Sequence, residues 1–81
     1  MRAATVSRAF GKILRQQRLA NGLTQERLAL EASVDRSFVS QIERGEHQPS
    51  LTTLFKLGEV LGVLPSALIL RMERDLKVSG E

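Results

Sequence analysis

The stretch that most limits what this chain can become is residues 24–45, TQERLALEASVDRSFVSQIERG. Leu28, Ala29, Val34, Val39 and Ile42 recur at helical spacing, interrupted at Ser33-Val34. Two residues are too few for anything but a sharp turn, so the segment predicts two short helices packed on each other. Thr24 is placed to cap the first, with Glu26 in its first turn, where a negative charge favours the helix dipole. Asp35 is placed to cap the second, which Gly45 stops. That second helix turns Val39 and Ile42 inward and leaves Arg36, Ser37, Ser40 and Gln41 together on the opposite face.

The flanking sequence supplies what such a pair must pack against. Upstream, residues 7–20 read as a helix with Ser7 as a candidate N-cap and Phe10, Ile13 and Leu14 as its inward stripe. Asn21-Gly22 ends it, and Leu23 turns back to plug the core. Residues 1–6 are expected to fray. Downstream, Ser50 caps a helix over 51–61 with Leu54, Leu57, Gly58 and Leu61 inward. Glycine in mid-helix costs about 1 kcal/mol relative to alanine, so Gly58 marks a close packing contact. Gly62 closes that helix, and a fifth begins at Pro65-Ser66 and covers 65–78. Five helices with no convincing strand make the chain all-α, a compact bundle of five helices in a single domain over 1–81.

Composition removes several functional classes. A chain of 81 residues allows one small core. There is no cysteine and a single histidine, His47, in a loop, so neither a disulfide framework nor a metal site is available and no general-base pairing is evident. No catalytic residue, metal or cofactor is therefore expected. The first twelve residues carry no continuous apolar segment of a secretory signal. The longest uncharged apolar run, residues 61–70, is interrupted by Pro65 and too short to span a bilayer. No membrane partner and a cytoplasmic location, bacterial or phage-type and nucleoid-associated, are the expectations. The net charge is +3, but residues 1–44 hold eight basic against four acidic side chains and residues 45–81 hold four against five. The positive charge thus lies on the half that contains the 24–45 segment, as a phosphate-facing surface requires.

Two short helices around a tight turn, the second with a polar and basic outer face, form the helix-turn-helix arrangement, whose second helix enters the DNA major groove. The chain from about Phe10 to Ile69 resembles the lambda-repressor-like family of such regulators, the group of Cro and the phage repressors. The likeness rests on Leu23-Thr24-Gln25, Leu28-Ala29, Val39-Ser40, Ile42-Glu43-Arg44-Gly45, Pro49-Ser50-Leu51, Leu54 and Leu61-Gly62-Val63 together. The segment from Val34 to Ser40 is similar, more narrowly, to the controller proteins of restriction–modification systems. Two positions depart from the family pattern: Ser33 stands where the turn usually has glycine, and Gln17 where an apolar residue is frequent.

The resemblance implies a geometry and hence roles. With the second helix in the groove, Arg36, Ser37, Ser40 and Gln41 are the candidate base readers. Arg36 can donate twice to guanine, and Gln41 can pair bidentately with adenine. Gln25 corresponds to the family's phosphate-gripping glutamine, and Thr24, Arg44 and Ser50 flank the reading helix as further phosphate contacts. Arg18 and Glu43 correspond to a buried ion pair linking the first helix to the third, which makes Arg18 structural. Leu64, Leu68, Ile69, Met72 and Leu76 form an apolar stripe expected to be a homodimer interface, setting two reading helices on a palindromic operator. No small-molecule effector is evident. The competing reading is a protein-interaction module or antitoxin of the same fold, but its docking face would carry more apolar anchors than the second helix presents.

Overall fold

The structure, a computed structural model, describes residues 1–78: α1 (Ala3–Ala20), α2 (Gln25–Ala32), α3 (Arg36–Glu43), α4 (Leu51–Leu61) and α5 (Pro65–Val78), with no strand among the described residues. The long α1 is the platform. It packs against α3 on one side and α5 on the other, while α2 bridges α3 and α4. Helices α4 and α5 meet at a bend of 102°.

The core is drawn from all five helices: Phe10, Ile13 and Leu14; Leu28, Ala29 and Ala32; Val39 and Ile42; Leu54, Leu57 and Leu61; Leu68 and Met72. Ile13, Leu14, Leu28, Ile42, Leu57 and Leu68 are almost wholly removed from water. Each such side chain contributes about 1.5–3 kcal/mol relative to exposure, so none can be truncated cheaply in a domain this small. Where α1 crosses α3 the backbones nearly touch: a Cβ at Gly11 would collide with the carbonyl oxygens of Ile42 and Glu43. The predicted close contact at Gly58 is present as well, its missing Cβ making room for the Val63 carbonyl and Pro65.

Four helices end by one device. An amide two or three residues past the helix end reaches back five residues, in Leu23 to Arg18, Val34 to Ala29, Glu46 to Gln41 and Val63 to Gly58. The residue before each of those amides sits in the left-handed region: Gly22, Ser33, Gly45 and Gly62. Ser33, at φ 57° and ψ 46°, is the one non-glycine among them. The turn therefore has the shape that glycine would give, held by a residue that bears the steric cost.

Two local expectations change. Helix α1 starts at Ala3 rather than Ser7, with Arg2 at the cap position and no capping side chain. Residues 3–6 are helical because Gln48 Nε2 donates to the Ala3 carbonyl across 45 positions of sequence, and because Val6 packs on the core. Ser7 is an interior, buried residue whose hydroxyl donates to the Ala3 carbonyl. Asp35 does occupy the cap position of α3, but its side chain accepts no hydrogen bond there. Thr24 and Ser50 cap as expected, accepting from the amides of Arg27 and Thr53.

A left-handed non-glycine residue costs about 1–2 kcal/mol, partly offset because glycine loses more freedom on folding. Ser33→Gly is therefore expected to raise stability by about 0.5–1 kcal/mol, visible as a rise of a few degrees in thermal unfolding. An unchanged or lowered midpoint would show that the turn carries no such strain.

Candidate nucleic-acid interface

The site is built outward from a buried charge. Arg18 on α1 donates from Nε to Glu43 Oε2 at 2.7 Å, from Nη2 to Glu43 Oε1 at 2.9 Å and from Nη1 to the Leu23 carbonyl at 2.8 Å. Gln25 Nε2 adds a bond to Glu43 Oε1 at 3.0 Å. The Arg18 and Glu43 side chains retain only 9% and 5% of their exposure. The hydrogen bond to Glu43 holds the Arg18 guanidinium above its already high ordinary pKa against the opposing effect of burial. One ion pair thereby fixes the end of α3 against α1 and against the start of α2.

With Val39, Ile42 and Glu43 held in that frame and Phe38 packed partly on the core, the polar side chains of α3 lie on its other face. Arg36 and Ser37 are exposed, Ser40 and Gln41 half-buried, and all four share one face, as their spacing predicts. Thr24 and Ser50 are exposed at their helix starts, although both hydroxyl oxygens already serve as caps. Gln25, expected at a phosphate, is half-buried and gives one amide hydrogen to Glu43, which leaves a second donor. Arg44 is exposed but not isolated. Its Nη1 donates to the Ser40 hydroxyl, and its Nε and Nη2 donate to Glu46 at 2.9 and 3.1 Å. Beside this cluster the His47 ring lies 6.1 Å from that of Phe38.

The stripe assigned to a second chain divides. Leu68 and Met72 are buried in the protomer's own core, Met72 as part of the lining of an apolar groove. Leu76 is half-buried, whereas Leu64 and Ile69 are exposed. The apolar surface left outside instead includes Leu51 at 75% and Phe55 at 63% exposure, one turn apart on α4. Leu51 and Ile69 border an apolar groove of about 170 Å³ that runs between α1, α4 and α5. The signal for Leu51 and Phe55 was present in the sequence, since both fall off the inward stripe of Leu54, Leu57 and Leu61. Gln17, the other departure from the family pattern, takes a polar part: it donates to Asn21 and accepts from Arg71, tying α1 to α5.

Arg18→Ala is expected to lower stability by about 3–5 kcal/mol, because Glu43 would be left as an uncompensated buried charge. Exposed Arg36→Ala should stay within about 0.5 kcal/mol of the parent. Thermal or urea unfolding of the two variants checks both; the reverse order would refute the division between frame and face.

Comparison with known proteins places this geometry. The helix-turn-helix family model, HTH_3, matches residues 14–68. The control protein C.BamHI of Bacillus amyloliquefaciens is 41% identical over 61 residues, 74% of this chain and 75% of that one. The crystal structure of the restriction-modification controller protein C.AhdI from Aeromonas hydrophila superposes with a TM-score of 0.75 at 42% identity, covering 76% of this chain and 94% of the other. The biofilm master regulator SinR, solved in complex with DNA, superposes with a TM-score of 0.71 at 34% identity over 74% of this chain and 97% of its own. With two short packed helices around a tight turn, a buried Arg18–Glu43 pair and a family match across most of its length, the chain belongs to the helix-turn-helix family of XRE-type transcriptional regulators.

Proposed function

We propose that this protein is a sequence-specific double-stranded DNA-binding regulator that grips a palindromic operator as a homodimer, with α3 of each copy in the major groove. The observation that carries the reading is the outward face of α3. Arg36, Ser37, Ser40 and Gln41 are presented by a helix whose other side is locked to the core, on the half of the chain that holds its excess positive charge. A rigid helix of that polarity suits base edges, and the absence of large apolar side chains among those four does not suit a protein-docking groove. Arg36 reads guanine, Gln41 adenine, and Ser37 and Ser40 a base or a phosphate. Gln25, Arg44 and the amide-bearing starts of α2 and α4 at Thr24 and Ser50 hold the backbone. The likeness to C.BamHI and C.AhdI favours a controller of a restriction–modification system over other regulators of the family.

The homodimer reading keeps Leu64 and Ile69 of the expected stripe and adds the exposed Leu51 and Phe55 of α4. Leu51, Phe55, Leu64 and Ile69 are exposed apolar side chains of α4, α5 and the turn between them, and a two-fold contact would cover them. Such a dimer sets the two reading helices about 34 Å apart, one turn of DNA. The protomer measures 35 × 22 × 21 Å, which is compatible with that span.

Binding to duplexes of random sequence should fall linearly on a log–log salt plot, with a slope of about −0.9 per phosphate neutralised. Failure to bind at low salt would favour the interaction-module reading instead. Arg36→Ala should retain that salt-dependent binding while losing discrimination between sequences, which competition with unlabelled duplexes measures. Phe55→Asp should keep its fold and run as a monomer in light scattering at about tens of micromolar, where the parent runs as a dimer; a monomeric parent would end the dimer reading.

A further inference from the structure

We infer that Glu46 is a built-in counterion for Arg44 that weakens the protein's hold on DNA of arbitrary sequence. The inference rests on the reading of the α3 face as the DNA surface. Arg44 lies on the same stripe as Arg36, Ser37, Ser40 and Gln41, one turn beyond Ser40. Its guanidinium is engaged along its whole inner edge: Nε and Nη2 by the two Glu46 oxygens, and Nη1 by the Ser40 hydroxyl. A fork–fork pair of this kind is the geometry in which arginine would otherwise grip a phosphate. Glu46 thus occupies the edge of Arg44 that is best suited to the DNA backbone.

The turn at Gly45 makes the pairing possible. Its left-handed backbone brings the Glu46 amide back to the Gln41 carbonyl, which sets the Glu46 side chain beside Arg44. Hydrogen bonding from Arg44 holds the Glu46 carboxyl below the usual carboxylate range, so the counterion stays charged. Both side chains are about half exposed, and exposed pairs contribute little to folding. The pair's effect therefore falls on binding. A phosphate must either displace Glu46 or meet an arginine that is already neutralised, with one hydrogen left on each of Nη1 and Nη2. Arg44 and Ser40, assigned separately from the sequence to a phosphate and a base, are one unit with Glu46 as its third member.

The test is a salt series on random-sequence duplex with the full-length protein, Glu46→Gln, Arg44→Ala and the double variant. Glu46→Gln should bind several-fold more tightly at moderate salt and steepen the log–log slope by about 1, the signature of one more phosphate neutralised. Its thermal midpoint should be unchanged. In the Arg44→Ala background the same substitution should give less than half of that gain. Glu46→Gln with unchanged or weaker affinity, or an undiminished gain without Arg44, overturns the inference while leaving DNA binding intact. A parent and variants that all fail to bind at low salt overturn DNA binding and the inference together.

Discussion

The structure depends on one buried ion pair. Arg18 uses its rigid fork to hold Glu43 with two nitrogens and the Leu23 carbonyl with the third, and Gln25 completes the coordination of Glu43. Taking two charges out of water is costly, and an apolar pair of similar volume often serves stability as well or better. What an apolar contact cannot supply is direction. The guanidinium fork fixes the last residue of α3 relative to both α1 and the beginning of α2, and no buried side-chain polar atom among the described residues lacks a partner. Its cost in desolvation is offset by an orientation that dispersion forces alone would leave looser.

That direction matters because α3 is only eight residues long. A helix of this length is marginal in isolation and takes its stability from packing. Val39 and Ile42 anchor one side, Gly11 admits the backbone of α3 to van der Waals contact with α1, and the ion pair pins the end. All the packing is done by one face, so the other is free to carry polar side chains that contribute nothing to the core. The same economy explains why α2 and α4 begin where they do: Thr24 and Ser50 cap helices whose first amides are otherwise unsatisfied.

Much of this was legible in the sequence because it is local. Caps, glycine stops and inward stripes depend on spacing within a dozen residues, and helices α2 to α5 form close to where that spacing puts them. What was not legible depends on which surface covers which. The stripe of Leu68 and Met72 has the same periodicity whether the protomer's own core or a second chain buries it, and the core does. The start of α1 has no capping residue of its own; it is extended by Gln48 and Val6. Arg18 and Glu43 lie 25 positions apart and were paired through family likeness, not spacing. The grip of Glu46 on Arg44 needed the fold of the Gly45 turn, and nothing in the order Glu-Arg-Gly-Glu distinguishes it from two solvated charges.

In the proposed complex a buried frame presents Arg36, Ser37, Ser40 and Gln41 to base edges from two symmetrically placed copies of α3. Selection of bound duplexes from a random pool by the purified protein tests this most directly. The predicted outcome is a palindromic motif with half-sites centred about 10 base pairs apart, whose enriched positions change when Arg36 or Gln41 is replaced. A pool that shows no enriched motif, or a motif indifferent to both replacements, would contradict it.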